Sequence, residues 1–236
     1  MIRLAERLLN VVYPRRCPMC DCILGKGDAY VCSACIQKIR VVEEPYCMKC
    51  GKPLEEKDAE YCTDCTYHPH IFDRGRSLLV YEGDVRKSIY RFKYSGRKEY
   101  AQAYAHLAEE KLGDFIREIK PDALIPVPLH IRRFRKRGYN QAELFAKALG
   151  RRMGIPVMSK LVKRTRNTLP QKELDFAGRQ NNLKKAFKLS RNDVKLYTTI
   201  IIDDIYTTGS TMDAVSMQLK SIGVKEIYFL TISGGK

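Results

Sequence analysis

Nine cysteines stand in the first 65 residues of this 236-residue chain, and eight of them form four C-x-x-C pairs. Eleven residues separate each pair from the next. Thiolate pairs at this spacing are typical of tetrahedral Cys₄ zinc sites, and they fit zinc better than an iron–sulfur centre or a disulfide framework. The predicted metal ligands are Cys17, Cys20, Cys32, Cys35, Cys47, Cys50, Cys62 and Cys65.

The cysteine-rich segment contains an internal duplication. A shift of 30 residues superimposes the first two pairs on the last two, together with Leu24 on Leu54 and Asp28 on Asp58. Each copy holds two pairs, so each copy is predicted to close its own site and to form one of two tandem zinc ribbons. The metal must then supply folding free energy, because 30 residues bury too little apolar surface. Cys22 falls opposite Lys52 and is not a predicted ligand.

A second group of chemistry-bearing residues follows an apolar stretch near the end of the chain. The segment Thr198–Ile202 predicts a buried strand, Asp203 and Asp204 come next, and a helix is predicted to begin at Ser210. Between them, small and hydroxyl residues allow backbone N–H groups to approach a phosphate, and the helix N-terminus favours the negative charge. Paired carboxylates suit a ribose diol, either directly or through Mg²⁺. The predicted phosphate-binding residues are Thr207, Thr208, Gly209, Ser210 and Thr211.

The net charge of +16 is concentrated in one part of the chain. Residues 130–188 hold 17 Lys and Arg against three Asp and Glu, a net charge of +14, whereas residues 1–70 are balanced. Such a region attracts phosphates, nucleotides or nucleic acid. The predicted nucleic-acid contacts are Arg132, Arg133, Arg135, Lys136, Arg137 and Tyr139, with a second basic cluster at Lys160, Lys163, Arg164 and Arg166.

Hydrophobic periodicity predicts an α/β domain with a mainly parallel sheet. Predicted strands lie at Arg76–Tyr81, Asp122–Pro126, Leu161–Arg166, Thr198–Asp203 and Ile227–Thr231. Predicted helices lie at Val85–Lys93, Tyr100–Ile119, Gln141–Met153 and Ser210–Ile222. The domain boundaries follow as an amphipathic helix and double ribbon over 1–66, a linker over 67–74 that includes His68 and His70, and the α/β domain over 75–236.

The acidic strand and loop resemble the phosphoribosyl pyrophosphate signature of type I phosphoribosyltransferases. The order of further motifs is similar to the ComF family of competence-related proteins, and the similarity covers nearly the whole chain. Those motifs are Leu8–Pro14, the cysteine pairs, Val127–His130, Arg135–Gln141 and Arg164–Gln171. The resemblance implies a Rossmann-like phosphoribosyltransferase domain after a double zinc ribbon, and a protein associated with incoming single-stranded DNA.

The resemblance also implies roles by position. Leu129 and His130 occupy the place of the pyrophosphate loop, and Asn167–Gln180 occupies the place of the flexible loop over the reaction centre. Arg166, Lys172 and Arg179 are then the residues that neutralise departing pyrophosphate, if the domain catalyses displacement at the anomeric carbon.

Three functional classes are compatible with these features. The first is an active phosphoribosyltransferase with an unidentified acceptor. The second, which we favour, is a protein that handles single-stranded DNA in natural transformation and retains a site for phosphoribosyl pyrophosphate or a nucleotide. The third is a zinc-scaffolded adaptor for a helicase or recombination protein. Met1–Pro14 reads as an amphipathic helix rather than a signal peptide, and no segment is long enough to span a bilayer, so the sequence predicts a cytoplasmic protein.

Overall fold

The computed structural model describes residues 14–25, 27–56, 58–166, 186–190 and 193–235. The helix predicted over Met1–Pro14 lies outside them except for its last residue, and so do Lys172 and Arg179. Within the described ranges, no helix has the length and apolar character needed to cross a membrane.

Helices and strands alternate after the cysteine-rich segment. The described helices are α1 (Ser33–Ile36), α2 (Thr63–Tyr67), α3 (Gly83–Tyr94), α4 (Tyr100–Ile119), α5 (Ile131–Arg137), α6 (Gln141–Met153) and α7 (Ser210–Lys220). The described strands are β1 (Arg74–Val80), β2 (Ala123–Pro126), β3 (Val162–Arg164), β4 (Phe187–Leu189), β5 (Thr198–Tyr206) and β6 (Glu226–Gly234).

Four strands form one parallel sheet in the order β1-β6-β5-β2. Strands β3 and β4 form a separate antiparallel pair. The predicted fold class, an α/β domain with a parallel sheet after a cysteine-rich module, is therefore confirmed. The carboxyl ends of parallel strands share one edge of the sheet, which is where such folds bind ligands.

Helices cover both faces of the sheet, and β5 shows how its residues divide between them. Ile200 and Ile202 belong to the hydrophobic cluster under α4 and α6, whereas Ile201 belongs to the cluster under α7. Side chains alternate across a strand, so a strand buried on both faces is a continuous apolar run. The run Thr198–Ile202 has this character, which explains why the sequence predicted the strand.

Several element bounds match the sequence prediction and others differ. The predicted bounds of α4 and α6 agree with the structure. Strand β5 continues to Tyr206, three residues past its predicted end, because β6 continues to pair with it. The seven-residue helix α5 was not predicted, because five of its residues are Arg or Lys and it has no apolar stripe.

The eight paired cysteines form two clusters, and within each cluster the sulfur atoms lie within 4.8 Å of one another. As the 30-residue repeat predicted, each cluster takes its cysteines from one copy. The Cys20 and Cys32 sulfurs are 3.7 Å apart, as are those of Cys50 and Cys62. Zn–S bonds of about 2.3 Å in a tetrahedron place sulfurs about 3.8 Å apart, so both clusters fit structural zinc.

The first ribbon docks on the helical side of the α/β domain. Arg91 of α3 donates to the carbonyl oxygens of Pro18 and Met19, at 3.0 and 2.5 Å. Asp21 accepts from Arg97 and from the Tyr100 hydroxyl, each at 2.6 Å. These bonds connect residues 18–21 of the first ribbon to α3, to the loop after α3 and to the start of α4.

The second ribbon packs against the sheet itself. Gly51, at φ +67°, lies so close to β1 that an added Cβ would stand 2.5 Å from the Gly75 carbonyl oxygen. Lys52 is buried, pairs with Asp64 at 2.7 Å, and places its ammonium 5.8 Å from the centre of the Tyr206 ring. The second ribbon therefore contacts the end of β5, directly before the predicted phosphate loop.

Candidate functional site

A cavity of about 860 Å³ opens at the carboxyl edge of the sheet. Its lining residues come from α3, from the segment that joins β2 to α6, from β3, and from the segment that joins β5 to α7. Most elements of the α/β domain therefore contribute to it. The lining includes Tyr90, Lys93, Tyr94, Leu129, Arg133, Lys136, Arg137, Asn140, Gln141, Arg164, Asp203, Asp204, Thr207, Gly209 and Thr211.

The predicted phosphate loop connects β5 to α7. Gly209 is the N-cap residue of α7 at φ +76°, in the left-handed region that glycine adopts without strain. Thr207, Gly209 and Thr211 line the cavity, whereas Ser210 is buried and shares a 3.1 Å hydrogen bond with the Thr208 hydroxyl. The loop thus presents a helix N-terminus and hydroxyl groups to the cavity, which is the arrangement that binds phosphate.

Gly209 is also required by close packing behind the loop. An added Cβ would lie 2.6 Å from His70 Cε1 and 2.8 Å from the Tyr206 hydroxyl. The His70 side chain is fully buried, and its Nδ1 lies 2.8 Å from an Asp213 oxygen in the first turn of α7. The other Asp213 oxygen accepts from the backbone N–H of Ile71 at 2.8 Å. The segment after the second ribbon therefore holds the start of α7 from behind.

The two predicted carboxylates both line the cavity but point toward different neighbours. Asp204 forms a 2.9 Å ion pair with Lys93 of α3. Asp203 accepts from the Asp204 backbone N–H at 2.8 Å and is attracted by Arg164 of β3. Because both aspartates lie within β5 rather than beyond it, adjacent side chains diverge as in any strand. They approach a ligand from two sides of the strand end.

The pKa of Asp203 lies well above the ordinary value for an aspartate. Burial, and then the negative charge of Asp204, raise its pKa to about 7, although Lys93 and Arg164 act in the opposite direction. Burial and repulsion by Arg133 lower the pKa of Arg164 to about 10. A half-buried carboxylate in a cavity, with its pKa raised to about 7, is typical of a functional site.

The basic segment forms one wall of the cavity through α5. Arg133, Lys136 and Arg137 line it, while Arg132 and Arg135 are exposed on the same short helix. Leu129 lines the cavity as well. His130 is buried as the N-cap of α5, where its Nδ1 accepts from the Arg132 backbone N–H at 3.3 Å. A ligand contact at His130 stays a prediction.

The turn after α5 explains the Gly138-Tyr139-Asn140-Gln141 motif. Gly138 ends α5 at φ +81°. Asn140 caps α6 by accepting from the Ala142 N–H at 3.2 Å, and its side-chain amide donates to the Val127 carbonyl at 2.9 Å. These bonds hold α5 and α6 against the end of β2, at the rim of the cavity.

Tyr139 does not offer the base-stacking surface that the sequence predicted. Its side chain is only 6% exposed, its hydroxyl donates to the Phe92 carbonyl at 2.6 Å, and its ring packs beside Phe92. The prediction for Tyr139 is wrong, because the turn at Gly138 directs this ring into the core.

The second basic cluster is divided between the cavity and solvent. Arg164 lines the cavity, whereas Lys163, its neighbour on β3, is exposed.

Several cavity residues were not among the predicted sites. Tyr90, Lys93 and Tyr94 come from α3. For Lys93 and Tyr94 the sequence left open a nucleobase or DNA platform, core or surface, and it gave no signal for Tyr90. The buried pair of His70 and Asp213 joins residues 143 positions apart, which no local pattern reveals.

We expect Asp203→Asn to stabilise the protein at pH 8 by roughly 1–3 kcal/mol. The native pKa near 7 exceeds the ordinary value of 3.8, so the unfolded chain binds fewer protons between about pH 4 and 7, and stability falls as pH rises through that window. Asn removes the buried charge and keeps an acceptor for the Asp204 N–H. Thermal unfolding as a function of pH measures the effect, which should vanish below pH 4.

A carboxylate at the opposite end of β5 provides the control. Asp122 accepts from the backbone N–H groups of Tyr197 and Thr198 at 2.7 and 2.9 Å. Asp122→Asn keeps an acceptor oxygen for these bonds and removes only the charge, so it should give no stabilisation at pH 8. A loss of stability in both variants would show that Asp203 serves the fold.

Comparison with known proteins gives a consistent set of relatives. Residues 8–66 match the double zinc ribbon domain. The chain is 34% identical to competence protein F of Haemophilus influenzae over 216 residues, covering 87% of this chain and 93% of that protein. It is 31% identical to the DNA utilization protein YhgH of Escherichia coli K12, covering 91% and 94%.

Two more distant similarities complete the comparison. Competence protein ComFC of Bacillus subtilis is 29% identical over 199 residues, covering 80% of this chain and 77% of that protein. A purine phosphoribosyltransferase structure from Pyrococcus horikoshii is 19% identical with a TM-score of 0.34, covering 56% of this chain and 82% of that one. With more than 30% identity to relatives over nearly their full length and a matching double zinc ribbon, this chain belongs to the ComF family, alongside ComFC and YhgH.

Proposed function

We propose that the cavity binds phosphoribosyl pyrophosphate or a related nucleotide. The observation that carries this proposal is the presence of the phosphate loop and both aspartates in one cavity. The N-terminus of α7 and the hydroxyls of Thr207 and Thr211 face the place of a 5′-phosphate. The acids at the end of β5 are then within the same cavity to bind the ribose hydroxyls or an associated cation.

Mg²⁺ is the cation that this donor set suits. It prefers carboxylate oxygens and shares its shell with substrate phosphates and water. Asp203 and Asp204 would hold it, and the ion would neutralise phosphate charge. Its binding requires Asp203 to be ionised, so affinity for the Mg²⁺ complex should increase as pH rises through about 7.

We further propose that the protein handles single-stranded DNA during natural transformation. Arg133, Lys136 and Arg137 of α5 and Arg164 of β3 surround the cavity with positive charge. The whole segment from 130 to 188 carries +14, more than one small ligand requires. Relatives named competence protein F, ComFC and DNA utilization protein support this direction. We also propose that the ribbon module can dock a helicase or a recombination protein.

An active phosphoribosyltransferase is the second candidate. Arg164 favours it, because this cation lines the same cavity as Asp203 and Asp204. Arg166 lies two residues beyond Arg164, and with Lys172 and Arg179 it would stabilise pyrophosphate as it leaves the anomeric carbon. Incubation with Mg²⁺, labelled phosphoribosyl pyrophosphate and candidate bases separates the two functions. Base-dependent pyrophosphate release supports the enzyme, and binding without release supports the DNA-handling role.

We expect Asp203→Ala combined with Asp204→Ala to abolish binding of Mg²⁺-phosphoribosyl pyrophosphate in titration calorimetry. Thr207→Val should weaken binding by roughly 1.5–3 kcal/mol, because it removes a hydroxyl donor that lines the cavity beside the charged phosphate. Asp122→Asn, at the other end of β5, should leave the affinity unchanged. Unchanged affinity in the double variant would remove the site assignment.

We expect wild-type protein to bind a short single-stranded oligonucleotide with steep salt dependence in fluorescence anisotropy. Replacing Arg133, Arg135 and Lys136 by Gln should weaken binding and lower the slope of log affinity against log salt by about 2, since each single-strand phosphate contact contributes about 0.7. The matched control replaces Lys120, Lys195 and Lys225 by Gln at the amino edge of the sheet. Equal losses of affinity in both triple variants would show that binding depends on net charge alone and not on these positions.

A further inference from the structure

Two tyrosines on α3 stand exposed at the mouth of the cavity. Tyr90 and Tyr94 are 63% and 60% exposed, and both line the cavity. The buried face of the same helix is formed by Val85, Ile89 and Phe92. The tyrosines are four residues apart on the other side, with ring centres 4.9 Å apart and planes inclined by 49°. Tyr90 and Tyr94 therefore form an exposed pair of neighbouring rings, here called the tyrosine ladder, which lies outside the domain core.

A cation from α5 extends this ladder. The Arg137 guanidinium lies 4.9 Å from the centre of the Tyr94 ring, within the range of a cation–π contact. Arg137 also donates to the side-chain oxygen of Gln141 at 2.5 Å. Gln141 is buried and its amide donates to the Phe92 carbonyl at 3.3 Å. The arginine is therefore held in place between the tyrosine ladder and the core.

Positive charge continues from this ladder into the cavity. Arg133 and Lys136 lie one turn and one residue before Arg137 on α5, and Lys93 lies between the tyrosines on α3. A single strand of DNA has the complementary pattern, with flat bases along one side and a phosphate at every step. Proteins that bind such strands without sequence preference combine a basic groove with aromatic rings on which bases stack.

We propose that Tyr90, Tyr94 and Arg137 form a base-stacking site for single-stranded DNA at the mouth of the cavity. The bases stack on the two rings, and the backbone runs toward Arg133 and Lys136. This inference rests on the proposed DNA-handling function and adds the side chains on which the bases stack. Every base has an aromatic face, so binding at the ladder is expected to tolerate any sequence.

The test replaces the rings without changing charge. Tyr90→Ala combined with Tyr94→Ala should weaken binding of a single-stranded oligonucleotide about 10-fold or more in fluorescence anisotropy. The slope of log affinity against log salt should remain that of wild type, because no phosphate contact is lost. Tyr90→Phe combined with Tyr94→Phe should retain most of the affinity. Tyr197→Ala is the matched control, since Tyr197 is 60% exposed at the opposite edge of the sheet.

An oligonucleotide of the same length with abasic sites separates stacking from other contacts. It should bind wild type and the double Ala variant equally, because it offers no base to the rings. A double Ala variant that binds normal DNA like wild type overturns the inference while leaving the proposed function in place. A double variant that loses only a free nucleobase, with DNA binding intact, overturns it in favour of an acceptor site. Wild-type protein that binds no DNA at low salt removes both proposals.

Discussion

The contact of Gly209 with His70 and Tyr206 is the constraint on which the site depends. No side chain larger than hydrogen fits there, since an added Cβ would lie under 3.0 Å from both residues. The contact places the N-terminus of α7 directly beyond the end of β5, and Asp213 secures the first turn through His70. The position of the proposed phosphate loop thus follows from packing behind it rather than from the loop residues alone.

The two ribbons contribute to different walls of the cavity. The second ribbon contacts Tyr206 through Lys52 and packs on β1 through Gly51, so it stands behind the phosphate loop. The first ribbon bonds to α3 and α4 through Arg91 and Asp21. Helix α3 carries Lys93, the partner of Asp204. Zinc held by four cysteines would have no open position, so each cluster would act on the cavity only by positioning the elements around it.

The sequence predicted features that depend on local pattern and missed those that depend on distant contacts. The 30-residue repeat predicted the cysteine pairing, and apolar periodicity predicted α4, α6 and the start of β5. The divergence of Asp203 and Asp204 required the extra pairing of β5 with β6. The burial of Tyr139 required the turn at Gly138, and α5 had no apolar stripe to mark it.

We infer that the second tetra-cysteine cluster supports the proposed phosphate loop. The measurement is the affinity for Mg²⁺-phosphoribosyl pyrophosphate, by calorimetry, in Cys47→Ser and Cys17→Ser, with zinc content determined on the same samples. Each variant is expected to lose one of two zinc ions. The two variants therefore differ in which zinc is lost and not in how many. We expect a large loss of affinity in Cys47→Ser and a much smaller one in Cys17→Ser. Equal affinity in the two variants, with one zinc lost from each, would contradict it.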